Sequence, residues 1–290
     1  MLPQRIVAVG DIHGNFDAFR QIFTALELVD DKLQWAAEDT TLVQIGDVCD
    51  RGNESRRVYE LLMNWQETAP LCASQVIVLL GNHEVMEMFG FDRDASLEEI
   101  QGYADQPDSP GYLEHRKAFM SSGWLHEWLL GQAGIVQFGP VIFGHGDLPV
   151  SFQDRTVDEI NQEIIRDIRA HASRPADSTI NLPASLFSED ESLVWCRQSR
   201  NTETYVRALE SFLRRNHGAI YVCGHTPSVD GRFAVKGGGR YLCIDTAMGF
   251  ENRGIGRRTA LVIEDGRAWQ WTFSGKNVGR RKVPVRLDSL

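Results

Sequence analysis

Three short motifs constrain this chain more than anything else in it. Each sets a glycine and a polar ligand-type side chain directly after an apolar run. Gly10-Asp11-Ile12-His13-Gly14 follows Ile6–Val9, Gly46-Asp47-Val48-Cys49-Asp50-Arg51-Gly52 follows Thr41–Ile45, and Gly81-Asn82-His83-Glu84 follows Gln75–Leu80. A run that is apolar throughout, such as Ile6-Val7-Ala8-Val9, is expected of a strand buried on both faces. Helical stripes separate the three runs: Phe19, Ile22, Phe23 and Leu26, then Val58, Leu61, Leu62 and Trp65, the second with Ser55 as its expected N-cap. The order strand, helix, strand, helix, strand implies parallel strands joined by crossovers, an α/β fold. Open α/β sheets bind ligands beyond the carboxyl ends of their strands, which is where all three motifs fall.

Residues 85–133 read as mostly helical, broken by the loop Asp105-Gln106-Pro107-Asp108-Ser109-Pro110-Gly111. Strands return at Ile135–Phe138 and Val141–Phe143, and Gly139-Pro140 between them predicts a hairpin. Thr156 and Glu159 fit a capping box ahead of a helix carrying Ile160, Ile164 and Ile168. Residues 172–190 read as a loop, and Tyr205, Leu209, Phe212 and Leu213 mark another helix. From residue 219 the pattern is β: Ala219–Cys223, Arg232–Val235, Tyr241–Ile244, Ala260–Glu264 and Ala268–Phe273, with Gly237-Gly238-Gly239 and Asp265-Gly266 as turns. The basic stretch after Lys276 reads as a solvated tail.

Two later motifs repeat the pattern: Gly144-His145-Gly146-Asp147 and Gly224-His225-Thr226. Carboxylate, amide and imidazole donors suit borderline divalent metals. Asp11 and His13 lie two apart, so at an extended strand end they point the same way and can share one ion. Asn82, His145 and His225 can hold a second, with Asp47 as the natural bridge. The remaining histidines, His115, His126, His171 and His217, fall in helical stretches and read as structural.

The net charge of −10 argues against non-specific binding to nucleic acid or an anionic membrane surface. It does not argue against a phosphorylated substrate, because metal ions reverse the potential locally. Five cysteines with no CxxC argue against a disulfide framework or a zinc ribbon. No run is long and apolar enough to span a bilayer, so a cytoplasmic setting is expected. Cys49, Cys196 and Cys223 lie in or beside the motifs and read as small buried hydrophobes before redox groups.

The motifs GDxHG, GDxxDRG and GNHE, in this order and spacing, resemble those of the PPP-type metallophosphoesterases, and the two later histidine motifs carry the likeness over residues 5–250. Ser55-Arg56-Arg57-Val58, Glu84-Val85-Met86, Leu193-Val194-Trp195-Cys196-Arg197 and Cys223-Gly224-His225 resemble the bacterial Shewanella-like branch. The resemblance implies the calcineurin-like fold, two mixed β-sheets packed together and flanked by helices. It is expected to form one domain over residues 1–290, with helical insertions at about 85–133 and 148–218 covering one side of the site. It implies Asp11, His13, Asp47, Asn82, His145 and His225 as ligands of two divalent ions, manganese first, with iron, cobalt or zinc compatible with the same donors. His83 matches the general acid, Asp50 the residue that orients it, Arg51 a phosphate-binding arginine and Arg197 a second. A metal-bridging hydroxide would attack in line, without a phosphoenzyme.

The expected activity is phosphomonoester hydrolysis on a phosphoprotein, with phosphotyrosine preferred. Symmetrical dinucleoside tetraphosphate hydrolysis is the alternative, since those enzymes share the three core motifs. An inactive phosphate-binding module would lack a ligand or the acid, and here all are present. One residue departs from the protein-phosphatase pattern: Asp147 stands where a second glycine is usual. It is expected either to orient a metal-bound water or a partner arginine, Arg197 being the candidate, without itself ligating a metal, or to be a solvent-facing turn residue.

Overall fold

The structure is a computed structural model and describes residues 3–172, 182–200 and 202–288. The first half of the chain runs β1 (Arg5–Val9), α1 (Phe16–Ala25), β2 (Thr40–Gln44), α2 (Ser55–Thr68) and β3 (Gln75–Val78). Four short helices follow: α3 (Asn82–Met88), α4 (Leu97–Gly102), α5 (Tyr112–Phe119) and α6 (Trp124–Leu129). Next come the hairpin β4 (Ile135–Phe138) and β5 (Val141–Gly144), then α7 (Val157–Ala172), α8 (Ala184–Phe187) and α9 (Thr202–Arg215). The chain closes with β6 (Ile220–Cys223), β7 (Ala234–Lys236), β8 (Tyr241–Cys243), β9 (Arg258–Glu264), β10 (Arg267–Ser274) and β11 (Asn277–Lys282).

The strands form two mixed sheets. One has the order β11-β10-β9-β1-β2-β3, the other β4-β5-β6-β8-β7. β1, β2 and β3 are parallel, as the sequence predicts, while β9 lies antiparallel against β1. The alternation of side chains across a strand explains the layering. Ile6 and Ala8 of β1 join Val43, Val141, Phe143, Ile220, Val222 and Leu242 in the core between the sheets. Val7 and Val9 face the other way, into a second core with Phe19 and Phe23 of α1 and Val58 and Leu62 of α2. Ile142 and Tyr221 do the same on the other sheet, meeting Ile164 of α7 and Leu209 of α9. Helices therefore flank a two-sheet sandwich, and the turns after β1, β2, β5 and β6 gather at its carboxyl edge. No described helix is long and apolar enough to cross a membrane.

Some sequence expectations change. Ser55 does not cap α2: Glu54 precedes the helix without a side-chain cap, and the Ser55 hydroxyl donates to Glu99 instead. The strand expected at Arg232–Val235 starts later, at Ala234. The stretch after Lys276 is no tail but the edge strand β11, in which Arg281 donates to Gln270 at 2.8 Å and Arg280 lies over Trp269. Exposed cations on an edge strand discourage pairing with other chains. The loop expected at 172–190 falls largely on 173–181, outside the described residues, and its later part contains α8. The capping box at Thr156 forms fully: the Glu159 carboxylate accepts the Thr156 N–H at 2.7 Å, and the Thr156 hydroxyl accepts the Glu159 N–H at 3.2 Å.

Candidate active site

The motif residues sit on backbone that few side chains tolerate. His13, Asp47, Asp50, Arg51 and His225 all have φ between 48° and 67°. Non-glycine residues rarely adopt the left-handed region, and its recurrence here shows turns shaped to aim particular side chains. Two glycines leave the room that these turns need. A Cβ at Gly81 would meet Asp47 Oδ1 at 2.2 Å, and one at Gly224 would meet Asp11 Oδ1 at 2.3 Å.

Asp47 is the hub. Its Oδ1 lies 3.3 Å from His145 Nε2, while its Oδ2 lies 3.6 Å from His13 Nε2. The two oxygens thus face two different groups of donors, Asp47 with His13 and His83, and Asp47 with His145 and His225. Asn82 adds its Oδ1, 3.1 Å from His145 Nε2. Asp11 lies outside both of these tight groups, and its carboxylate accepts the His225 N–H at 3.1 Å.

The donor chemistry fits divalent ions. His13 Nδ1 donates to the Cys49 carbonyl at 2.8 Å, and His145 Nδ1 donates to the Ile45 carbonyl at 2.8 Å. Each bond keeps the proton on Nδ1 and so fixes the tautomer whose lone pair lies on Nε2. His225 is held the opposite way round, with Nε2 on the Trp195 carbonyl at 3.2 Å, which leaves Nδ1. Burial lowers the pKa of His13 to about 3 and pushes that of His225 well down, so both imidazoles are neutral, as ligation requires. Burial, Asp245 and Asp47 together raise Asp11 well above the usual carboxylate range. Such crowding of buried carboxyls is what a bound cation relieves.

His83 lies beside this centre. Its Nδ1 is 2.5 Å from Asp50 Oδ2, and its backbone N–H donates to Asp47 Oδ1 at 3.1 Å. Burial opposes charge on His83, but Asp47 and the hydrogen bond to Asp50 outweigh it and raise its pKa. Arg51 brings Nη1 to 2.8 Å from His13 Nε2 and lies over the Phe250 ring. Arg197 donates from Nη2 to the His225 carbonyl at 3.2 Å. Both guanidiniums therefore border the same cluster.

Asp147 is not a solvent-facing turn residue, and Arg197 is not its hydrogen-bond partner. It is buried, 1% exposed. Its carboxylate accepts the Ser199 N–H at 2.7 Å and the Tyr241 hydroxyl at 2.5 Å, and its own N–H donates to the Cys196 carbonyl at 3.0 Å. It fixes the segment that carries Arg197. Burial pushes up the thiols of Cys49, Cys223 and Cys196, the last to about 12, in keeping with inert packing.

Three acids escaped the sequence reading as site components. Glu84 completes the third motif and bonds back to the second. Asp245 follows β8 as Asp11 follows β1, a positional signal that was available. Glu99 reaches the Asp50 N–H at 3.0 Å from α4, a long-range contact with no local signal.

A sequence profile of the calcineurin-like phosphoesterases matches residues 4–229, and the chain belongs to that family. It is a metal-dependent phosphatase. Shewanella-like protein phosphatase 1 of Plasmodium berghei is 27% identical over 269 residues, covering 90% of this chain and 72% of the relative. Shewanella-like protein phosphatase 2 of Arabidopsis thaliana is 35% identical over 106 residues, 36% of this chain and 27% of that one. The cold-active protein-tyrosine phosphatase of a psychrophilic Shewanella superposes with a TM-score of 0.78 at 21% identity, covering 97% of this chain and 80% of that one. Together with the motifs, these relatives set the chain in the Shewanella-like branch of the PPP-type enzymes.

Proposed function

We propose that the chain hydrolyses phosphomonoesters with two divalent ions, on phosphoprotein substrates, phosphotyrosine first. The observation that carries the reading is the split of Asp47, whose two carboxylate oxygens face separate histidine groups. On this reading Asp11, His13 and Asp47 would hold one ion and Asp47, Asn82, His145 and His225 the other. Bound divalent ions supply Lewis acidity, which lowers the pKa of water and neutralises phosphoryl charge.

The chain's own residues do the rest. Arg51, beside His13, and Arg197, beside His225, grip the equatorial phosphoryl oxygens, for which a guanidinium fork is suited. His83 holds a proton on Nε2 for the departing ester oxygen. Asp50 accepts Nδ1–H, which fixes the tautomer and stabilises the imidazolium before transfer. A protein-tyrosine phosphatase among the fold relatives supports phosphotyrosine as the first substrate to test.

The test is a substrate panel with the manganese-loaded enzyme, comparing phosphotyrosine and phosphoserine peptides with dinucleoside tetraphosphate. Turnover of the peptides, tyrosine ahead of serine, is the expected result. Preferential release of two nucleoside diphosphates from the dinucleotide would replace this reading with the alternative one.

A further inference from the structure

Behind His83 lies a set of buried acids that the reaction above does not use. Asp50 Oδ2 takes up His83 Nδ1, but Asp50 Oδ1 has no hydrogen-bond partner among the described residues. Glu87 follows His83 by four positions on α3, so it shares a helix face with it. It is 2% exposed, it and Asp50 perturb each other's titration, and its Oε1 is likewise without a donor. Two neighbouring buried carboxyls, each with an oxygen that no donor reaches, repel unless one carries a proton.

The neighbours show which acid holds it. From α4, Glu99 spends Oε1 on the Asp50 N–H and the Ser55 hydroxyl. From α5, His115 brings Nε2 to 4.0 Å from Glu87 Oε2, and burial lowers its pKa to about 4, so it offers no charge. Asp92 adds only further negative charge. Burial first, then Asp50, pushes Glu87 up to about 10. Asp50, by contrast, is committed to His83.

We propose that Glu87 is a positioning residue for the leaving-group acid: its protonated carboxyl donates to Asp50 Oδ1 and holds Asp50 in the rotamer that presents Oδ2 to His83. This rests on the reading of His83 as the acid. Glu87 touches neither substrate nor ion and acts only through Asp50.

The experiment compares E87Q, E87L and H83N as manganese-loaded full chains on β-glycerophosphate, a poor leaving group, and p-nitrophenyl phosphate, a good one. Partners behind a functional group commonly cost about 10- to 100-fold when removed. E87L is expected to lose that much kcat on β-glycerophosphate, under about threefold on p-nitrophenyl phosphate, with KM little moved. E87Q keeps an N–H donor for Asp50 and is expected within about threefold of the parent on both. Equal losses on the two substrates in E87L, or no loss, would overturn the proposal. So would a loss in E87Q of about tenfold or more, which would mean that Glu87 acts as a charged acceptor. If E87L fails to melt cooperatively, E87A, which also removes the donor, is read by the same criteria. H83N separates the two layers: equal losses there remove the acid role itself, whereas a selective H83N beside a non-selective E87L removes Glu87 only.

Discussion

The Glu84 carboxylate clamps the turn that carries Asp47. Its Oε2 accepts the N–H of Asp47 at 2.9 Å and of Gly81 at 2.8 Å. Its Oε1 accepts the N–H of Val48 at 2.8 Å and the Tyr59 hydroxyl at 2.7 Å. One side chain from the third motif thus sets the backbone of the second. Glu84→Ala strands these donors in a buried site, and each unpaired buried donor costs about 1–3 kcal/mol. The variant is expected to lose about 3 kcal/mol or more in denaturant unfolding and to retain metal poorly. An unchanged unfolding midpoint with full metal content would contradict the clamp.

Asp147 acts on a neighbouring segment through the same physics. By holding Ser199 N–H and the Tyr241 hydroxyl it fixes the backbone on which Arg197 stands. Asp147→Gly should therefore raise KM for a phosphopeptide more than it lowers metal content, because the substrate grip loosens while the ligands remain. KM and bound metal measured on one preparation check this. A fall in metal content with unchanged KM would place its effect at the metal ligands instead.

Glu99 makes a pH-dependent contribution whose sign is fixed by its environment. Burial, then the charge of Asp50, raises its pKa from 4.5 to about 8 in the folded chain. The folded state then binds the proton more tightly than the unfolded one. The stability from this group is complete below pH 4.5 and is lost as pH climbs towards about 8. Glu99→Gln removes the titration, so its melting temperature should fall less than that of the parent over this range. Parallel curves for the two proteins would show that Glu99 does not hold its proton.

Legibility from sequence followed the range of the contacts. β1–β3 and their motifs were plain because apolar runs and glycine turns are local signals. The edge strand β11 was missed because its side chains are all exposed and carry no alternation to read. Ser55 was misassigned as a cap because its true partner, Glu99, lies 44 residues away. Asp47, His13 and His145 converge as their motifs imply. The role of Asp147 was hidden, since burial and partners such as Tyr241 are set by tertiary packing. Glu87 carried a local signal, four positions after His83, but only the fold brings Asp50 to the same place.

The proposed bridging role of Asp47 is tested most directly by measuring metal content and turnover of D47N in the same sample as the parent. The parent is expected to hold about two equivalents of divalent metal. D47N is expected to show a clear drop in metal content, with turnover falling alongside by about 100-fold or more. A D47N protein that keeps both ions tightly bound and turns over near the parent rate would contradict the bridging role.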